Sequence, residues 1–272
     1  MTVASELSYH PSADGDLAYR DTGTGDLVVL VHSGYADHRV FDEQIPALAV
    51  AGYRVVAPDV RGHGFSANAS EPFRWADDLG GLLRHLDAGP AVLVGLCMGA
   101  AVVTDTVLEH PELVRAVVVC GAGTSAFEYT DPWTLQRAGE SAALLAAGDL
   151  DGWVEAFGRN AAGPHRTADE VAPHVVRRLQ EMAAHTLSKH TPDEPDRHTP
   201  LADPWSRVPQ IAVPVLAVHG ALDASDAIAM ADRLARTVPD GRSVTMEGVG
   251  HYPHMERPEE FNTLLLDFLR TL

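Results

Sequence analysis

Cys97 stands in Gly95-Leu96-Cys97-Met98-Gly99, with Ala91-Val92-Leu93-Val94 before it and Ala100-Ala101-Val102-Val103 after it. The first run reads as a buried parallel strand and the second opens a helix, so the cysteine falls on a sharp strand-to-helix turn, the pattern of a nucleophile elbow. Such a turn has no room for large side chains beside the nucleophile, which accounts for Gly95, Gly99 and Ala100. A thiol that attacks a carbonyl needs a base to take its proton and a group to hold that base in the right tautomer. His251, behind the turn Gly248-Val249-Gly250, suits the base, with His254 as the near competitor. Asp223, just past the apolar strand ending at His219, suits the orienter, whereas Asp226 is expected to cap the following helix. A free thiol titrates near ~8.5, so an adjacent imidazole or the helix N-terminus has to favour the thiolate. Cys120, at the end of another apolar strand, is read as core packing.

Attack on a carbonyl creates an oxyanion, for which the N–H of Met98 supplies one donor. The second is expected from the loop starting at Ser33, with Ser33, Gly34 and Tyr35 as one open assignment. Tyr35, Trp133, Trp153 and Tyr252 are the candidate substrate-binding aromatics, although aromatic side chains fill cores just as often. The turn Arg61-Gly62-His63-Gly64 reads as structural. His165, His174, His185, His190 and His198 lack metal-ligand spacing and are read as solvated. Arg39, Arg137, Arg159 and Arg166 are each able to meet a substrate carboxylate, although long basic side chains are usually solvated. No cofactor or metal is expected.

These groups need a scaffold, and the hydrophobic runs outline one. Leu7–His10 and Leu17–Arg20 read as short antiparallel strands around Pro11–Gly15. Leu27–Val31, Tyr53–Ala57, Val114–Cys120, Val213–His219 and Ser243–Met246 read as further strands, with helical stretches at 41–51, 227–236 and 258–270. That alternation predicts a mostly parallel, doubly wound α/β sheet. Between about Thr124 and Pro209 the pattern turns helical, at 141–147, 152–160 and 171–185, which predicts an α/β core over 1–123 and 210–272 with a helical lid over 124–209. Residues 189–203 read as a mobile loop.

The 272 residues, 46% hydrophobic and 21% charged, suffice for a full core. A formal charge of −18 disfavours nucleic acid and anionic membranes, both of which need a basic surface, and a small-molecule substrate is the expected partner. No run is long and apolar enough to span a bilayer. Met1–Glu6 lacks a basic, then apolar, leader. With two cysteines, a reducing, cytoplasmic setting is expected. The oligomeric state stays open.

The order of these motifs resembles the α/β-hydrolase superfamily: Val31-His32-Ser33-Gly34-Tyr35, then Asp59-Val60-Arg61-Gly62-His63-Gly64-Phe65-Ser66, the elbow, His219-Gly220-Ala221-Leu222-Asp223, and Gly248-Val249-Gly250-His251-Tyr252-Pro253. The resemblance implies an α/β-hydrolase fold and a triad in the chain order Cys97, Asp223, His251, and it points to Gly34 for the second oxyanion donor. The elbow is similar to that of dienelactone hydrolases, whereas residues 31–39 and Gln44-Ile45-Pro46-Ala47-Leu48 are similar to the enol-lactonase branch, which ordinarily carries serine. A hydrolase of an ester, lactone or thioester acting through an acyl-enzyme is the expected activity. Two alternatives remain at this stage: a lyase or cyclase with His251 as base and the oxyanion hole stabilising an enolate, and a non-enzymatic ligand-binding member.

Overall fold

The computed structural model describes residues 7–191 and 193–272; the reading of Met1–Glu6 lies outside them. β1 (Ser8–Ser12) and β2 (Gly15–Thr22) form the antiparallel start, followed by β3 (Leu27–Val31), α1 (Gln44–Val50), β4 (Arg54–Pro58) and α2 (Trp75–Leu86). β5 (Ala91–Leu96) runs directly into the elbow and α3 (Met98–Glu109), and β6 (Val114–Cys120) follows. Helices α4 (Pro132–Ala147), α5 (Leu150–Gly158), α6 (Pro173–Leu187) and α7 (Pro204–Arg207) separate β6 from β7 (Val215–Gly220). The chain closes with α8 (Ser225–Thr237), β8 (Gly241–Met246), α9 (Pro253–Glu256) and α10 (Pro258–Leu269). The eight strands of the described residues order as β1-β2-β4-β3-β5-β6-β7-β8, with β2 antiparallel to both neighbours, β1 and β4, and every other pair parallel.

Both faces of the parallel strands are apolar, as covering by helices on each side demands. Leu30, Val94, Val118 and Val218 pack with α1, α5, α6 and α10, while Val29, Leu93, Val117 and Ala217 pack with α2, α3 and α8. Cys97 and Cys120 both belong to the first face, and Cys120 is buried, which pushes its thiol up. The C-terminal ends of β5, β6 and β7 therefore deliver Cys97, Gly121 and Asp223 to one edge, where doubly wound sheets place their sites.

Two features depart from the sequence reading. Helix α2 is not announced by its pattern, because Gly80 and Gly81 interrupt it at a cost of about 1 kcal/mol each; a Cβ at Gly80 would lie 2.5 Å from His110 Cδ2, so the glycine admits the end of α3. Asp226, expected as a helix cap, lies inside the first turn of α8, where it accepts from Ala227 N at 2.9 Å and also from the N–H groups of Thr130 and Asp131 at 3.0 Å and from Thr134 Oγ1 at 3.1 Å. It pins the entry of α4 to α8.

Asp105, on the inner side of α3, is 6% exposed. Burial raises its pKa to about 6 from 3.8. Below both values the carboxyl is protonated folded or unfolded and costs nothing. Between them only the unfolded chain releases the proton, so stability falls as pH rises and levels off above the folded value. Asp105→Asn should therefore stabilise by on the order of 3 kcal/mol near pH 8, with the gain gone near pH 4; urea unfolding at both pH values measures it. An equal gain at both would disprove the linkage.

Candidate active site

Cys97 adopts φ 51° and ψ −111°, a conformation that L residues rarely take, at a cost of order 1–3 kcal/mol. The surroundings enforce it. Its N–H donates to the Cys120 carbonyl at 2.7 Å, and its own carbonyl accepts from Ala100 N at 2.9 Å. A Cβ at Gly95 would lie 2.2 Å from the Gly99 carbonyl oxygen, and one at Gly99 would lie 2.1 Å from that of Val31. The glycines let the elbow press against the neighbouring strand, which aims the thiol off the sheet edge.

His251 Nδ1 is 2.8 Å from Asp223 Oδ2, and Asp223 Oδ1 accepts from Ala224 N at 2.7 Å. The side chains are 15% and 2% exposed. Burial works against a charge on the ring, yet the Asp223 carboxylate and the Cys97 sulfur beside it outweigh burial and hold its pKa well above the ordinary histidine range. With Nδ1 committed to Asp223, Nε2 is the nitrogen left for the thiol. His254, the competitor, is buried between Phe41 and Phe261, at ring distances of 5.3 and 5.7 Å, and burial followed by the nearby His251 pushes its pKa down to about 3. Its ring nitrogens have no hydrogen-bond partner among the described residues.

Gly121, whose role no local pattern announces, makes room for His251: at φ 74°, a Cβ there would lie 2.7 Å from His251 Cε1. Gly121→Ala should push the imidazole aside and lower kcat about 100-fold, as misplacement by an ångström does, with far-UV circular dichroism unchanged. An unaltered kcat would mean that the ring needs no such clearance. Arg166 and Glu256, 11% and 8% exposed, steady the same loop: Arg166 Nη1 meets Glu256 Oε2 at 2.6 Å, and Glu256 Oε1 accepts from Gly250 N at 2.8 Å.

The loop after β3 is tied down by His32, which is fully buried and held neutral by burial. Its Nδ1 donates to the Ser33 carbonyl at 2.8 Å and its Nε2 accepts from Val60 N at 3.0 Å. The same carbonyl accepts from Ala36 N at 3.1 Å. In a trans peptide the following N–H points the opposite way, so the Gly34 N–H faces away from His32, with no hydrogen-bond partner among the described residues. A Cβ on Gly34 would lie 3.9 Å from Met98 Cβ and Sδ. Met98 begins α3, where N–H groups have no intrahelical acceptor. Gly34 and Met98 thus bring two neighbouring amides without a partner among the described residues, the Tyr35 N–H is likewise without one, and Ser33 contributes its carbonyl to the scaffold.

A cavity of about 920 Å³ opens from Gly34, Tyr35 and Met98 toward His63, Trp75 and Leu145. Burial, then the neighbouring His32, pushes His63 down to about 3, so it presents a neutral ring. The candidate aromatics divide. Tyr35, in the left-handed region at φ 57°, lines the cavity and packs on Trp153 at 4.5 Å. Trp153 is 2% exposed, in the core rather than on the cavity wall. Tyr252 lies edge-on to His251 at 5.2 Å, and burial pushes its hydroxyl up to about 12. Trp133, at the start of α4, lines none of the cavities described, whereas Leu145 and Ala146 at the end of that helix line the main one.

Other expectations are corrected by pairing across the fold. Arg39, Arg137, Arg159 and Arg166 each already hold a carboxylate, on Asp37, Glu140, Glu140 and Glu256 respectively. Three of the histidines read as solvated have partners: His185 Nε2 reaches the Gly64 carbonyl at 3.1 Å, His190 Nε2 that of Gly62 at 2.7 Å, and His198 stacks on Trp75 at 3.9 Å. The only lysine of the chain, Lys189, donates to the carbonyls of His63 and Ser66. The loop 189–203 is therefore anchored at its start and, through a bridge between Phe73 and His198, in its middle. Asp37, His38 and Asp59 bring three ligand-type atoms together, but Arg39 occupies Asp37, and His38 and the Phe65 N–H occupy Asp59. They form a closed hydrogen-bonded network.

Residues 26–258 match the model of the alpha/beta hydrolase fold family. The chain belongs to that family. It is 29% identical to a Mycobacterium tuberculosis protein carrying the name non-heme bromoperoxidase BpoC, over 94% of this chain and 98% of the relative. It is also 29% identical to the pimeloyl-acyl-carrier-protein methyl ester esterase of Neisseria meningitidis serogroup B, over 89% and 92% of the two chains. The enol-lactonase structure from Burkholderia xenovorans LB400 superposes with a TM-score of 0.80 over 97% of this chain and 100% of the other; at 24% identity that likeness concerns the fold alone. No helix among the described residues is long and apolar enough to cross a membrane.

Proposed function

We propose that the protein is a hydrolase that cleaves a small-molecule ester, lactone or thioester with Cys97 as nucleophile, His251 as base and acid, and Asp223 as orienter. The observation that carries this reading is His251 held at Nδ1 by Asp223 at 2.8 Å with the Cys97 sulfur beside the ring. His251 takes the thiol proton, the sulfur attacks the carbonyl carbon, and the oxyanion is received by the Gly34 and Met98 N–H groups. Collapse of the tetrahedral adduct expels the alcohol or thiol, which leaves with the proton held by His251. Water, activated by the same ring, then hydrolyses the thioester on Cys97.

The mostly apolar cavity beside Gly34 and Met98 suits a small apolar acyl or alcohol group, and a relative named as a methyl ester esterase favours an ester-type bond. Residues 124–209 act as the lid over this site in the same reading. Intact-protein mass spectrometry after brief exposure to small esters, lactones and thioesters, with product analysis alongside, tests it. The expected result is a mass increase of one acyl group that maps to Cys97. Turnover with no adduct on the cysteine at any time, under single-turnover conditions, would instead favour His251 acting as base in a lyase.

A further inference from the structure

A second, smaller cavity of about 250 Å³ lies on the other side of the Trp75–His198 stack, which forms part of both walls. Ala101 and Val102 of α3, Phe127 and Leu201 give it an apolar body. For scale, an apolar cavity of ~150 Å³ admits benzene. The acyl chemistry at Cys97 makes no use of this space.

Its wall carries three charged side chains, and they are not equivalent. Arg74 Nη1 pairs with Glu109 Oε2 at 2.7 Å, while Glu109 Oε1 pairs with Arg207 Nη1 at 2.6 Å. Those charges satisfy one another. Asp105 forms no ion pair among the described residues, although it is 6% exposed. Its Oδ1 accepts one long hydrogen bond, from Ser125 N at 3.4 Å, and its Oδ2 has no partner among the described residues. The Ser125 hydroxyl lies beside the carboxyl, also lines the cavity, and is itself buried without a well-formed hydrogen bond among the described residues. A carboxyl buried in this way is normally paired with a cation or fully hydrogen-bonded.

The geometry points to a binding site for a small organic ammonium ion, with the –NH₃⁺ group on Asp105 Oδ2 and Ser125 Oγ and the hydrocarbon body against Val102, Phe127 and Leu201. An ammonium supplies the missing countercharge and donors for both free oxygens. The raised pKa of Asp105, caused by burial with Glu109 adding to it and Ser125 and Arg207 opposing, fits a carboxyl waiting for a cation. Binding should accordingly weaken below about pH 6 as the carboxyl protonates.

Isothermal titration calorimetry with benzylamine near pH 7.5, and with neutral benzyl alcohol as the shape control, tests the site. The expected result is saturable benzylamine binding, with the alcohol about tenfold or more weaker, the scale of one charged hydrogen bond. Asp105→Asn should bring benzylamine down to the level of the alcohol, and Leu201→Trp, which fills the cavity from its loop side, should weaken both. Absence of saturable binding, equal binding of amine and alcohol, or benzylamine affinity unchanged in Asp105→Asn would each overturn the assignment. Because Cys97→Ala should bind benzylamine as the wild type does, the site stands or falls separately from the acyl chemistry.

Discussion

Cys97→Ala lowers the turnover of an activated ester by about 10⁴-fold or more, because removing the nucleophile of a triad leaves only the oxyanion donors and binding. The acyl adduct disappears from the mass spectrum with it. Cys97→Ser keeps an attacking oxygen in the same strained turn and should retain turnover above the alanine variant, which separates loss of the nucleophile from loss of the elbow. The side chain is replaced without disturbing the two backbone bonds that fix the turn, Cys97 N to the Cys120 carbonyl and Ala100 N to the Cys97 carbonyl. Unfolding midpoints should therefore stay close to that of the wild type. Ester turnover in Cys97→Ala within tenfold of wild type would remove the cysteine from the mechanism.

Asp223→Asn is expected to cost about 10⁴-fold in kcat, the scale found when the orienting acid of a triad becomes an amide. The amide oxygen still accepts from Ala224 N, so the NH₂ group faces His251 Nδ1. The ring must then accept at Nδ1 and carry its proton on Nε2, where it cannot take one from Cys97. A second readout separates this from simple damage. His251 is raised well above the ordinary histidine value by Asp223 and Cys97 against the opposing effect of burial. Loss of the carboxylate should move the acidic limb of kcat/KM toward lower pH. A limb that stays in place, or a kcat within tenfold of wild type, would show that Asp223 does not hold the base.

Asp105 shows the other side of such economy: the same unpaired carboxyl that destabilises the fold at neutral pH is the group an ammonium ion would recognise, and Asp105→Asn should trade one for the other.

The elbow was legible because its constraints are local. Gly95 and Gly99 flank Cys97 within five residues, and their necessity follows from backbone crowding alone. The order of Cys97, Asp223 and His251, and the sheet that carries them, were legible because apolar runs with strand and helix periods recur in a chain whose parallel strands need covering on both faces. The helices between β6 and β7 were legible in the same way, with 141–147 covering only the second half of α4, and 152–160 and 171–185 displaced by two residues from α5 and α6.

What the pattern does not carry is pairing between distant segments. Gly121 looks like any turn glycine until His251, from another loop, is packed 2.7 Å from where its Cβ would be. Arg166 reads as a free cation, yet Glu256, 90 residues on, claims it. Asp226 resembles a helix cap but serves Thr130 and Asp131 on the far side of the helical insertion. Lys189 and His190 fall in a segment that reads as loose, and close on carbonyls more than 120 residues away. In each case the residue type states what bond it can make, and the choice among partners belongs to packing, since a buried polar group binds whichever complement the folded chain brings within about 3 Å.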